Sequence, residues 1–288
     1  MKQREPLVTN IFTADPSARV FNDKIYIYHS HDIPHDGADN DNGDEYQMKD
    51  YHVLSMDNLD APCVDNGMIF ADSDVPWVSE QLWAPDALEV DGKYYLVYPA
   101  RDKNGDFRLG VAIGETPIGP FTPEPNYIEG TYSIDPGLLK DDDGKIYVYY
   151  GGLWGGQLEK WQRGYSNPGS PDPNPSGASL GPMFAEMSRD MKSLASKPVN
   201  ISIIDENGNP IENGDEERRY FEDPWINKIN GTYYLSYSTG TTQATTAEMN
   251  RFLVSHAARV VAKKPRTPHS GLAVTWNIAD TVMTARVT

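Results

Sequence analysis

Cysteine is almost absent, with Cys63 alone among 288 residues. One thiol closes no internal disulfide and supplies no multi-thiolate metal site. No activating base neighbours it, so it reads as a small packed residue. Basic residues are also scarce, with 25 Lys and Arg against 42 Asp and Glu and a formal charge of −17. Phosphate binding draws on clustered cations, so nucleic acid is not an expected partner, and an anionic membrane surface is equally disfavoured. No run approaches the roughly 20 apolar residues needed to span a bilayer. The opening MKQREPLVTN has no apolar core of a secretion signal. These absences together lead to the expectation of a reduced, cytoplasmic protein. Helical periodicity is scarce too, and no long helical pattern stands out in the first 240 residues.

What is present is aromatic and turn-rich. Seventeen tyrosines, with 39% hydrophobic residues, give enough apolar surface to drive collapse. Glycines (24) and prolines (22) are spread along the chain and punctuate short elements. One layout recurs in ARVFNDKIYIYHS (18–30), ALEVDGKYYLVYPA (87–100), GLLKDDDGKIYVYYGG (137–152) and WINKINGTYYLSYSTG (225–240). Each has an apolar run, a tight turn of ND, DG, DDDG or NG, and a second run rich in Tyr, Ile and Val. Asp-Gly and Asn-Gly between β-favouring runs are the strongest short-range hairpin signal. The aligned tyrosines at 26, 95, 147 and 234 are unevenly spaced. A constant unit at irregular spacing predicts an all-β chain of propeller blades with variable insertions, the alternative being a sandwich of four similar hairpins.

Two segments stand outside the pattern. SNPGSPDPNPSGASLGP (166–182) has a loop composition. The tail 244–288 lacks a hairpin turn of the earlier type, carries a possible amphipathic helix and the basic cluster Lys263, Lys264 and Arg266, and does not read as a fifth copy. The organisation expected is thus a propeller over 1–243 and a divergent tail over 244–288.

A carboxylate precedes each unit: Asp15 before Tyr26, Asp86 before Tyr95, Asp135 before Tyr147 and Glu222 before Tyr234. Three of them lie in ADPS, IDPG and FEDP, at or just before a proline. At the start of an innermost strand such a group points towards the propeller axis. Carboxylates from several blades converging there would suit glycoside hydrolysis, which needs one group to protonate the leaving oxygen and another to activate water or attack the sugar. Crowding acids in a partly desolvated cleft also raises the pKa of one of them. Any single acid could merely cap a strand start or brace a turn. Three in repeated units point further.

The segments TADPSARV, WAPDA, YSIDPGLLKDDDGK and YFEDPWINKINGTYYLSYSTGTT resemble the signature segments of glycoside hydrolase family 43. The resemblance covers roughly residues 6–243 and implies a five-bladed β-propeller, with the last blade atypical or incomplete here. It implies an inverting, exo-acting hydrolase that releases xylose or arabinose from oligosaccharides. By the same resemblance Asp15 is the general base, Glu222 the general acid and Asp135 the third acid that tunes and orients it. Trp83 corresponds to an aromatic lining the sugar subsite, and Asp86 beside it joins the substrate-binding candidates. Asp223 stands where the family commonly has Gly. The axial His that often sits near a bound divalent ion is not recognisable. No cofactor is required by this reading, though a divalent cation such as calcium near the propeller axis is compatible with it.

The acid-rich HSHDIPHDGADNDNGDEY (29–46) departs from the EF-hand pattern, since Gly43 falls where Asp or Asn is wanted counting from Asp39. It reads as a solvated insertion walling the site. His31, with His29, is either a sugar contact or an ordinary loop residue. A rival function is a carbohydrate-binding propeller without catalysis, against which the set of three acids argues.

Overall fold

The computed structural model describes residues 6–34, 40, 42–162, 177–205 and 207–239, with the backbone of 257–258 and 273–275. The described chain is all-β apart from one helical turn, Leu158–Gln162, and two short 3₁₀ segments. No helix among these residues is long and apolar enough to cross a membrane. The chain divides into two compact units, one of residues 1–136 with 188–194, the other of 137–187 with 195–288.

The first unit holds two sheets. Strands β1 (Thr13–Phe21), β2 (Lys24–His31), β3 (Asp50–Met56) and β4 (Val64–Ala71) form an antiparallel meander. The second sheet is built on β7 (Lys93–Asp102), which pairs with β5 (Val78–Glu80), β6 (Asp86–Val90) and β8 (Phe107–Gly114), and β8 pairs with β9 (Phe121–Pro123). A shared core of Tyr28, Tyr51, Val53, Phe70, Trp77, Leu96 and Tyr98 packs them. The tyrosines of the second hairpin runs supply much of it.

In the second unit β10 (Gly137–Lys140), β11 (Ile146–Tyr150), β12 (Met183–Met187) and β13 (Val199–Asn200) make one sheet. Strand β14 (Ser202–Ile204) stands apart from it. Strands β15 (Glu222–Ile229) and β16 (Thr232–Ser238) form the next hairpin. From the tail, β17 (Ala257–Ala258) adds to β16 and β18 (Ala273–Thr275) runs parallel to β14. The rest of the tail, the expected helix and basic cluster included, and residues 166–176 of the expected loop lie outside the described residues.

All four expected hairpins form: β1–β2, β6–β7, β10–β11 and β15–β16. Their turns explain why. Asn22 and Asp23, Asp91 and Gly92, and Asn230 and Gly231 all have φ between 51° and 80°. Two left-handed residues in succession match the twist of the flanking strands, and Asn, Asp and Gly tolerate that conformation best. The longer DDDG turn closes through the Gly144 amide on the Asp141 carbonyl at 2.9 Å. Asp141 also takes Lys228 and the Tyr233 hydroxyl, which ties this turn to the β15–β16 hairpin.

Candidate active site

Three Asp-Pro pairs share one backbone bend. Asp15, Asp135 and Asp223 each precede proline and have φ of 51°, 56° and 56°. Proline disfavours the right-handed helical region for the residue before it, and Asp is among the few side chains that enter the left-handed region readily. In β1 the ladder runs through Ala14↔Ser30 and resumes at Ser17↔Tyr28, so Asp15 and Pro16 bulge out of it. In β15 it runs through Glu222↔Ser238 and resumes at Trp225↔Ser236, which leaves Asp223 and Pro224 in the bulge. The bend lifts two residues off the ladder near the start of each strand.

The hairpin register fixes the equivalences. Tyr26, Tyr147 and Tyr234 pair with Arg19, Leu139 and Asn227. Asp15, Asp135 and Asp223 each stand four residues before that partner, whereas Glu222 stands five before. The repeat therefore aligns Asp223, not Glu222, with Asp15. Glu222 occupies the adjoining ladder position that Ala14 holds in the first hairpin. The left-handed φ at 223 is also the physical reason a glycine suits that place.

Asp86 does not belong to this series. It enters β6 with no bulge, opposite Val97, two residues before the partner of Tyr95. Its side chain is 0% exposed and receives Ser17 Oγ at 2.6 Å, Arg19 Nε at 2.8 Å and the Ala87 amide at 2.7 Å. Arg19 Nη2 completes a bidentate pair with it. The expectation of a sugar contact gives way here to a buried ion pair that fastens β1 to β6, since no part of this carboxylate reaches solvent.

Within the first unit Asp15 and Asp135 both bear electrostatically on one residue, Tyr51. Tyr51 is fully buried and donates its hydroxyl to the Trp83 carbonyl. Burial first, and then the charges of Tyr98, Asp15 and Asp135, push that phenol well above its ordinary pKa. It remains a protonated donor. Ala14 and Ile134, each preceding one of these acids, pack on the same cluster of Met48, Trp83 and Phe107. The two acids differ in exposure: Asp15 is open to solvent and Asp135 is buried.

Trp83, expected to line the sugar subsite, is only 8% exposed. Its ring stacks at a tilt on Phe107 (4.6 Å) and meets Tyr46 edge-on. Its Nε1 donates to the Tyr46 carbonyl at 2.9 Å. Gly43 crosses so close that an added Cβ would lie 2.5 Å from the indole. Gln81 Nε2 holds the Gly43 carbonyl at 2.7 Å, and Arg101 Nη2 holds that of Asn42 at 2.5 Å. The insertion expected to wall the site is in its described part a strap latched over Trp83.

Glu222, in the second unit, is half-buried at the head of β15. Its backbone is fixed from several sides. Phe221 bonds through its amide to the Ser238 carbonyl (3.0 Å) and through its own carbonyl to the Leu153 amide (3.1 Å). Tyr220, fully buried, donates to the Gly151 carbonyl, and Tyr237 donates to that of Arg218 at 2.7 Å. Just after Glu222, the Pro224 carbonyl lies 2.4 Å from where a Cβ on Gly137 would stand. Only glycine lets β10 begin there.

His31 ends β2 rather than lying in a loop, and it shares a face with three other polar residues. His29 pairs across the ladder with His52, and His31 Nδ1 lies 2.9 Å from Asp50 Oδ1. His52 Nε2 is 3.5 Å from the same oxygen. Burial raises the Asp50 pKa, but hydrogen bonds and charge from His52 and His31 outweigh it and hold the carboxyl below its ordinary value. His29 is fully buried and its pKa is lowered, chiefly by that burial. Sequence reasoning missed Asp50 and His52, although their spacing of two in DYHVLSM mirrors that of His29 and His31. His31, Asp50 and His52 are the one set of metal-ligating side chains grouped among the described residues. With two nitrogens and one carboxylate they do not fit calcium, which takes six to eight oxygens.

The sequence profile of Glycosyl hydrolases family 43 matches residues 4–270. The chain belongs to this family. Xylosidase/arabinosidase 43A of Humicola insolens is 54% identical over 246 residues, covering 82% of this chain and 75% of that protein. A β-xylosidase of Xylanibacter ruminicola is 47% identical, over 80% of this chain and 73% of its own. Among solved structures, a family 43 β-xylosidase/α-arabinofuranosidase from a compost metagenome superposes with a TM-score of 0.83 at 48% identity, covering 94% of this chain and 78% of that one. That structure holds xylotriose and is a calcium-free form. A family 43 enzyme of Xanthomonas citri, also with xylotriose, gives 0.79 at 40% identity, over 94% and 76% of the two chains. The all-β fold is thus that of the five-bladed propellers of the family, and the protein is a glycosidase.

Proposed function

We propose that this glycosidase releases xylose or arabinose from the ends of hemicellulose-derived oligosaccharides with inversion at the anomeric carbon. Asp15 is the general base, Glu222 the general acid and Asp135 the charge that keeps Glu222 protonated. The chief support is the left-handed Asp-Pro bend repeated at Asp15 and Asp135, together with the charge that both carboxylates exert on one buried hydroxyl, that of Tyr51. Solvent exposure of Asp15 suits a base that must hold water. Burial of Asp135 suits a charge that acts at a distance, because low dielectric lets it raise a neighbouring acid's pKa. The sugar class is supported by relatives that are xylosidase/arabinosidases and by the xylotriose held in the similar structures.

Two variants on two substrates test the roles. Protonating the leaving oxygen matters most for a poor leaving group, whereas the water must be deprotonated in every case. Glu222→Gln is expected to lose about 10²–10⁴-fold on a xylo-oligosaccharide and far less on a dinitrophenyl glycoside. Asp15→Asn is expected to fail on both. If the leaving-group rescue appeared in Asp15→Asn instead, the two roles would be exchanged. Proton NMR of the first-formed sugar reports inversion directly, and a retained anomer would end the proposed mechanism.

A further inference from the structure

We propose that His31, Asp50 and His52 form a binding site for a borderline divalent ion of the zinc type, on the exposed end of the β2–β3 ladder. The three ligand atoms lie within 4.8 Å of one another. Two of the separations, 2.9 and 3.5 Å, bracket the edge of about 3.3 Å that a tetrahedral site with metal–nitrogen bonds of about 2.0–2.1 Å requires. The side chains are 30%, 22% and 15% exposed, so an ion has an entry path and the fourth position faces water. Imidazole and carboxylate together suit zinc and its neighbours and are a poor match to calcium or magnesium.

The backing of the site points the same way. His29 and His52 stack at 5.9 Å between ring centroids. His29 donates Nδ1–H to the Ser30 carbonyl at 3.0 Å, which leaves its Nε2 as a buried lone pair with no partner. His52 Nδ1 is likewise buried and without one. Unpaired buried polar atoms are costly, and these two stand at the back of the site where apolar residues would ordinarily pack. Without metal, each ring directs an N–H at Asp50. With metal, the ion would take the place of those two protons, that of His31 moving to Nε2 and that of His52 to its buried Nδ1, with no net change of charge on the imidazoles. On the adjoining strand Thr13, two residues from Asp15, pairs with His31. The ion would staple β2 to β3 beside the strand that carries the proposed base.

The test uses the full chain, freed of metal by a chelator and then titrated near neutral pH. Zn²⁺ in competition with a chromophoric chelator is expected to bind at one equivalent, and excess Ca²⁺ is expected not to displace it. Co²⁺ is expected to give the intense visible absorption of a tetrahedral site. His52→Ala and Asp50→Asn should each weaken Zn²⁺ binding by about 100-fold or more, at least what removing an outer partner of a metal ligand costs. Zn²⁺ should raise the thermal midpoint of the parent chain and of neither variant. A parent that binds no Zn²⁺, or variants that bind as tightly as the parent, would overturn the site. So would the weak spectrum of octahedral Co²⁺, a reading that needs no variant to fold.

Discussion

Strands β1 and β15 open on the same bend and use it differently. In each, an Asp-Pro pair leaves the ladder with the Asp at φ near 50°. In β1 the functional candidate is the bulged residue itself, Asp15, thrown out to solvent. In β15 the bulged Asp223 is exposed, and the candidate is Glu222, one step earlier and still paired with Ser238. The same backbone device can thus present a carboxyl group from either of two neighbouring positions. A bulge re-aims the side chains of the residues it lifts out, so the paired and the bulged position are not interchangeable.

Moving the carboxylate is the strongest way to break this comparison. Glu222→Ala combined with Asp223→Glu moves the glutamate into the bulge and leaves alanine at the ladder position, as in β1. It is expected to remain as inactive as Glu222→Ala alone, down about 10²–10⁴-fold on an oligosaccharide. Recovery of activity in the double variant would mean that the bulge, not the ladder position, presents the acid.

The next effect concerns Asp86, the strand-start carboxylate with no bend. Asp86→Ala strands Arg19 without its buried partner and is expected to cost about 3–5 kcal/mol in denaturant unfolding. A change below about 1 kcal/mol, with loss confined to substrate affinity, would restore Asp86 to the substrate-binding set.

Gly137→Ala tests the close approach behind the β15 bend. Its Cβ would meet the Pro224 carbonyl at 2.4 Å, and backbone cannot swing aside as a side-chain tip can. A cost of about 1–3 kcal/mol is expected, read from the shift of the urea midpoint.

The smallest effect belongs to Asp223→Gly. Glycine adopts the left-handed conformation without strain, so stability should stay within about 1 kcal/mol of the parent and oligosaccharide turnover should change little. A large loss of turnover would give Asp223 a part in the chemistry.

Much of this was legible in the residues. Asn-Asp, Asp-Gly and Asn-Gly between Tyr-rich runs specify hairpins because turn chemistry is local, and all four formed as read. The four preceding acids were legible as a set but not as individuals. Counted along the chain, Glu222 and Asp135 share an offset of twelve to their tyrosines. The longer DDDG turn hides that they sit at different ladder positions. Asp86, at nine, carried a faint signal of its difference, since the two missing residues are those of the absent bulge.

The sequence by itself determined the β class, the hairpin turns and the Asp-Pro bends, because each rests on the φ preferences of adjacent residues. Tertiary structure buried Asp86 against Arg19, sixty-seven residues away. It also latched the 42–46 strap over Trp83 and set Asp50 and His52 opposite His31 and His29. None of these follows from local preference. Each depends on strand pairing across dozens of residues, and that register is chosen by the burial of whole faces rather than by any one residue.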